Sequence, residues 1–202
     1  MSFRSELDLK FSEFGLSAYD RPFTCDGIPD RCEIFIVGSN PARPLRQPFA
    51  SYWSDDRRFN KRSLLDDIEP WTPTRRNIEH VAREAGYDTT LDANIWVKDS
   101  PRETQLAPEH RDTRLFEWMF WRLKPKVVLA HGDHAKDFFE FRLECKGVKR
   151  NSGAAHAVKC ERHEFLLICS DHLSYQTSEV KAKAIGRKLR AAHIRASRRQ
   201  QD

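Results

Sequence analysis

The chain has 202 residues, 39% of them hydrophobic and 32% charged, with a formal charge of +5. That suffices for one domain around a substantial core, and no apolar run approaches the roughly 20 residues that cross a bilayer. The amino terminus lacks the basic-then-apolar layout of a secretory signal, and five cysteines without a close pair argue against a disulfide framework or a zinc knuckle.

An intracellular, reduced protein outside the membrane is therefore expected. Charge is uneven along it: residues 181–202 hold eight Lys or Arg against one acid, so the positive excess lies in the last helix and tail. Such a stretch attracts phosphate backbones without reading sequence; it is also a common solvated helix end.

Residues 1–32 mix charges with Phe3, Phe11, Phe14 and Phe23 and predict an arm, a short helix or irregular, that packs its aromatics on the domain. Ile34 to Val37 is a short β-branched and aromatic run stopped by Gly38, the pattern of a buried parallel strand. Pro41, Pro44 and Pro48 forbid a helix after it. A strand feeding a stiff polar loop at its carboxyl end is where open α/β sheets bind ligands. Ser54 to Ile68 predicts a helix ended by Pro70, and Thr74 to Ala85 a second, with Ile78, Val81, Ala82 and Ala85 on one face and Gly86 as its stop.

Leu91 to Val97 reads as a second strand, followed by a loop with Pro101 and Pro108. Thr113 can cap a helix rich in Leu115, Phe116, Trp118, Met119, Phe120 and Trp121, buried against the sheet. Lys126 to His131 is a third strand; Gly132 turns the chain and Asp133 caps a helix with Phe138 and Phe139 inward. Residues 146–163 predict a loop or an edge strand. Phe165 to Cys169 is a fourth strand, after which Thr177 or Ser178 caps a long helix with Val180, Ile185, Leu189 and Ala192 toward the core. Strands alternating with helices predict one α/β domain over residues 1–202, three α/β/α layers around a central four-stranded parallel sheet, with a basic tail at 195–202.

The carboxyl ends of those strands carry Asn40, Asn94, His131-Gly132 and His172. Two amides, an imidazole and the nearby Phe49 include no obvious nucleophile, metal cluster or carboxylate pair. They suit a planar heterocycle: a ring to stack on, an amide whose donor and acceptor match a base edge, and a histidine beside a developing anion. Phe49 reads equally as core filler or stacking platform. His131, His134, His156 and His163 read as structural or exposed, and Asp55 and Asp56 as caps at a helix start.

At these residues the chain resembles the uracil-DNA glycosylase superfamily. Gly38-Ser39-Asn40-Pro41-Ala42 is similar to its first motif in the Gly-x-Asn-Pro-Gly form, and Asp171-His172-Leu173-Ser174 to its second, His-Pro-Ser. Asn94-Ile95-Trp96-Val97-Lys98 and the run Lys124 to Gly132 follow the thermostable branch, and the similarity covers roughly residues 30 to 192 in order. The resemblance implies that Asn40 positions the attacking water and His172 steadies the departing base as an anion. It implies that Asn94 reads the base edge in a pocket formed with Gly38 and Ser39. Phe49 would stack on the flipped base, and Leu173, Ser174, Tyr175 and Gln176 would form the loop that enters the duplex, Ser174 holding a phosphate.

Departures shape the expectation further. Asn40 stands where the most active branch has Asp, and an amide is no general base; Ala42 stands where that branch has a tyrosine that excludes thymine, which widens the range of bases. Leu173 replaces the motif proline, and the iron–sulfur cysteines of the thermostable branch are missing, so no cofactor or metal is expected. The expected protein is a monomeric, monofunctional glycosylase that acts on DNA containing uracil or other deaminated bases and leaves free uracil and an abasic site. Its rivals are a module of the same fold that binds damaged DNA or an abasic site without turnover, and an enzyme of free nucleosides or nucleotides.

Overall fold

In the computed structural model, which describes residues 1–202 apart from 56, 102, 151, 152, 162, 175 and 200–202 and the side chains of 103 and 199, six strands form one mixed sheet. They are β1 (Phe23–Cys25), β2 (Ile34–Gly38), β3 (Thr90–Asn94), β4 (Val127–His131), β5 (His156–Cys160) and β6 (His163–Ser170), in the order β1-β3-β2-β4-β6-β5. The inner four are parallel to one another, and β1 and β5 join the two edges antiparallel. The sheet thus exceeds the four strands expected. β1 has three residues, all buried, and offers no alternation to read. β5 alternates, with Val158 and Cys160 inward, and takes the edge-strand alternative for that segment.

Strand alternation sorts the core into two faces. Phe35, Val37, Leu91, Ala93, Val128 and Ala130 share one cluster with α1 (Phe3–Glu13), α2 (Lys61–Asp67), α4 (Arg114–Leu123) and α5 (Asp133–Asp137). Ile34, Ile36, Val127, Leu129, Leu166 and Ile168 share the other with α3 (Pro73–Ala85) and α6 (Glu179–Arg199). Each apolar side chain removed from water in this way stabilises the fold by about 1.5–3 kcal/mol. Helices α3 and α6 meet at Gly186, where a Cβ would lie 2.5 Å from the Val81 carbonyl oxygen and 2.6 Å from Glu84 Cβ. Among the described residues no helix is long and apolar enough to cross a membrane.

Local signals set the helix ends. Thr72 accepts the Arg75 N–H and Pro73 begins α3, Asn60 caps α2 at Ser63, and Ser178 accepts the Lys181 N–H to start α6. Helix α2 begins seven residues later than Ser54; the preceding segment is a turn in which Asp55 accepts the N–H groups of Arg57 and Arg58, while Asp56 lies outside the described residues. Val180, expected inward, is 74% exposed, and Ala182 takes the core position. The cysteines correct a further expectation. A π-helical turn (Phe138–Arg142) leads to a bridge between Lys146 and Lys159, which brings the neighbouring Cys145 and Cys160 to a Cα separation of 4.4 Å in a disulfide. Cys25, Cys32 and Cys169 are free and buried.

Candidate functional site

The row of residues at the carboxyl ends of the inner strands determines the site. Gly38 pairs with Asn94 and His131 with Ser170, so Asn94, Gly38 and His131 come from neighbouring strands at one level. Gly38 has no side chain, and the His131 ring occupies the vacancy: a Cβ at 38 would lie 2.9 Å from both Cε1 and Nε2 of His131 and 3.3 Å from Asn94 Oδ1. Imidazole and amide converge over a bare backbone.

A cleft of about 700 Å³ opens above this row. Ser39, Asn40, Asn94, His131, His172 and Gln176 all line it, as do Ala42, Arg21, Arg75, Asp92 and Lys136. Two loops distant in sequence therefore meet. In the first, Asn40 Nδ2 donates to the carbonyls of Pro41 and Ser100, each at 3.0 Å, and Oδ1 accepts from Ser39 Oγ at 3.3 Å. Two carbonyls around one atom identify it as the nitrogen and leave the amide oxygen as the acceptor.

The second loop is pinned from below. Leu173 is fully buried in the core under α3 and α6, and Asn77 Nδ2 donates to the carbonyls of Leu173 (3.4 Å), Ser174 (2.9 Å) and Thr177 (2.9 Å). Thr177 Oγ1 donates to the His172 carbonyl at 3.2 Å. Above that anchor His172 is exposed at the cleft, its ring centroid 5.2 Å from that of His131 in an edge-on arrangement, over Gly132, whose φ of +82° admits the turn.

Two expected site residues lie elsewhere. Phe49 is 3% exposed and packs among Phe11, Phe23 and Phe59 with ring centroids 5.2–6.1 Å apart, so it fills the core and offers no stacking platform. Leu173 cannot enter a duplex, because its side chain is the apolar anchor of its own loop. Ser174 is half-buried and does not line the cleft, and Tyr175 lies outside the described residues.

His131, expected to be structural or exposed, is 3% exposed, and among the described residues its Nδ1 has no hydrogen-bond partner. Burial, then the nearby His172 and Arg75, pushes its pKa down to about 3, so the ring stays neutral at working pH, with one nitrogen a donor and the other an acceptor. The sequence reading missed a buried ionic chain beneath the cleft. Arg75 pairs with Asp92 and, at 2.8 Å, with Glu79; Lys61 reaches Glu79 at 2.8 Å. Burial works against each charge, yet Asp92 and Glu79 together hold the Arg75 guanidinium above its ordinary pKa, and Arg75 and Lys61 hold the Glu79 carboxyl below its own.

The cleft offers amide, hydroxyl and imidazole groups to a polar, flat ligand. Asp92 is committed to Arg75, and Lys136 is paired with Asp133 at 3.2 Å. Among the described residues no three His, Cys, Asp or Glu gather as a metal site. No protein-family model matches the chain, and no curated protein does.

Proposed function

We propose that the protein is a monofunctional DNA glycosylase of the uracil-DNA glycosylase type, acting as a monomer on uracil or another deaminated base flipped from DNA. The observation that carries this reading is that Asn40 and His172, the centres of the two motifs, line one cleft together with Asn94. The parallel order β3-β2-β4-β6, with those loops at the carboxyl ends of β2 and β6, supports it.

The geometry suggests a division of labour. Asn40 Oδ1 accepts a hydrogen bond from water and holds its oxygen against C1′ of the sugar, where an oxocarbenium-like centre develops as the glycosidic bond breaks; once the C1′–O bond forms, the water's proton passes to solvent. The base leaves as an anion, which the N–H of His172 steadies in a site partly closed to water. Asn94 presents an amide to the edge of the base, and neutral His131 adds a second imidazole. With Phe49 in the core, recognition rests on edges and imidazoles rather than on a stacked phenyl, and Ala42 leaves that side of the cleft open to larger bases. Lys181, Arg187, Lys188 and Arg190 are exposed along α6, which follows the His172 loop, and supply phosphate contacts.

The test is a uracil-containing oligonucleotide incubated with purified protein and then treated with alkali. Alkali-dependent cleavage is expected, with at least roughly tenfold loss in Asn40→Ala and in His172→Ala, each worth about 1.4 kcal/mol or more of barrier. No alkali-sensitive site from uracil, hypoxanthine or xanthine would remove the enzyme reading. Tight binding to damaged DNA without base release would select the non-catalytic reading.

A further inference from the structure

Arg21 is a cation that the fold buries without an ion pair among the described residues. It precedes β1, and its backbone N–H donates to the Val97 carbonyl at 3.2 Å, which fixes it beside the loop that leaves β3. Its side chain reaches the cleft wall, yet the residue is 8% exposed and Nη1 has no hydrogen-bond partner. Neighbouring Asp20 is taken by Lys98 at 2.9 Å, and Asp92 by Arg75. Asp92, then Asp99 and Tyr52, act on Arg21 only at a distance, and among the described residues it forms no ion pair.

The buried cluster therefore does not balance. Lys61, Arg75 and Arg21 face Glu79 and Asp92, three cations against two anions. Burial, then Arg75, lowers the Arg21 pKa to about 10, so the guanidinium is still charged at neutral pH. Buried polar atoms in folded proteins almost always find partners, and an uncompensated buried charge is costly. A guanidinium fork held rigid at a cleft is matched by a planar or tetrahedral oxyanion, which it binds through charge-assisted hydrogen bonds. Ser39 and Asn94 line the same cleft with a hydroxyl and an amide.

We propose that Arg21 anchors an anion subsite in this cleft, so that the ligand it takes carries a carboxylate or a phosphate. The inference goes beyond base removal: it needs the cleft to hold a ligand, whatever follows. The oxyanion has two sources, an acidic group on the heterocycle itself or the phosphate of a nucleotide.

Calorimetric titration of the full chain with two ligand pairs separates them: uracil against uracil-5-carboxylate, and deoxyuridine against deoxyuridine 3′-monophosphate. In the wild type the anionic member of one pair is expected to bind at least about tenfold tighter than its neutral parent, and the pair that shows this identifies the source. In Arg21→Gln that ratio falls below about twofold, and Arg21→Lys keeps part of it, because a point charge replaces the fork. Equal binding within both pairs, binding of none of the four, or a preference that survives Arg21→Gln overturns the proposal. Should Arg21→Gln not fold, raising the salt from about 0.15 to 0.5 M decides on the wild type. A buried guanidinium keeps its preference, whereas surface lysines lose theirs and the proposal with it. Base release from uracil oligonucleotide is measured in parallel; its absence beside an intact anion preference removes the glycosylase reading and leaves this one standing.

Discussion

Gly38 lies at the end of β2 in backbone that any residue can adopt, so its missing side chain serves space rather than conformation. Placing a methyl there in Gly38→Ala sets it 2.9 Å from two ring atoms of His131 and 3.3 Å from Asn94 Oδ1. Comfortable carbon contacts need roughly 3.5–4.0 Å, so the ring must retreat by about 0.6–1 Å inside a close-packed layer. Overpacking of this size costs about 1–3 kcal/mol. His131→Ala removes the obstacle; its own cost should be about 1–3 kcal/mol, since the space left adjoins the cleft. In the double substitution the methyl occupies vacated volume. The pair should then be about 1–2 kcal/mol less destabilised than the sum of the singles, inside the range for residues in contact. Urea denaturation of the four proteins, compared at equal m-value, reads the coupling directly. Additivity within about 0.3–0.5 kcal/mol would refute the claim that Gly38 exists to seat His131.

The Asn77→Ala substitution leaves three loop carbonyls without their donor and should cost about 1–3 kcal/mol. The Ser174 and Thr177 amides should then exchange hydrogen faster than those of the sheet, and unchanged exchange there would discard the tether. In Gly186→Ala a Cβ 2.5 Å from the Val81 carbonyl must push α3 and α6 apart, with a loss of about 1–3 kcal/mol and a lower Tm; an unaltered Tm would show that the helices are not in close contact. The folded-state pKa of His131, about 3, lies below the ordinary 6.5, so the unfolded chain binds a proton the native one refuses. That contribution to stability is complete above about pH 6.5 and is lost as the pH falls toward 3, at about 1.4 kcal/mol per unit. The difference in stability between wild type and His131→Gln should follow that slope between pH 6 and 4, and a flat difference would mean that the imidazole is not shielded from protonation.

The inner sheet was legible because its strands announce themselves chemically. Ile34 to Val37 and the runs ending at His131 and Cys169 are too short and too apolar for anything but buried strands, and their alternation with amphipathic segments implies parallel pairing. The edges were not. Three buried residues of β1 give no period, and the pairing of Cys145 with Cys160 depends on the Lys146–Lys159 bridge, a long-range product of folding that a spacing of 15 residues does not encode. Val180 fits an apolar periodicity as well as Ala182 does; packing against β4 and β6 decided for the smaller one.

Around the cleft, sequence placed the residues whose position follows from the strand ends and failed where neighbours decide. A polar group straight after a buried strand must lie at the sheet's end, which is why Asn40, Asn94 and His172 could be placed together. Phe49 sits in the same loop as Asn40, and no local pattern tells a phenyl facing a cleft from one facing Phe11 and Phe23. Nothing local marks Arg21, Lys61, Arg75 and Glu79 as buried, since charged side chains are almost never fully buried unless paired and the pairs span as many as 18 residues. Ion pairs engage every member of that set except Arg21, which lines the cleft with Nη1 unpartnered among the described residues. A buried cation left without an ion pair among the described residues is a demand that the proposed oxyanion would meet.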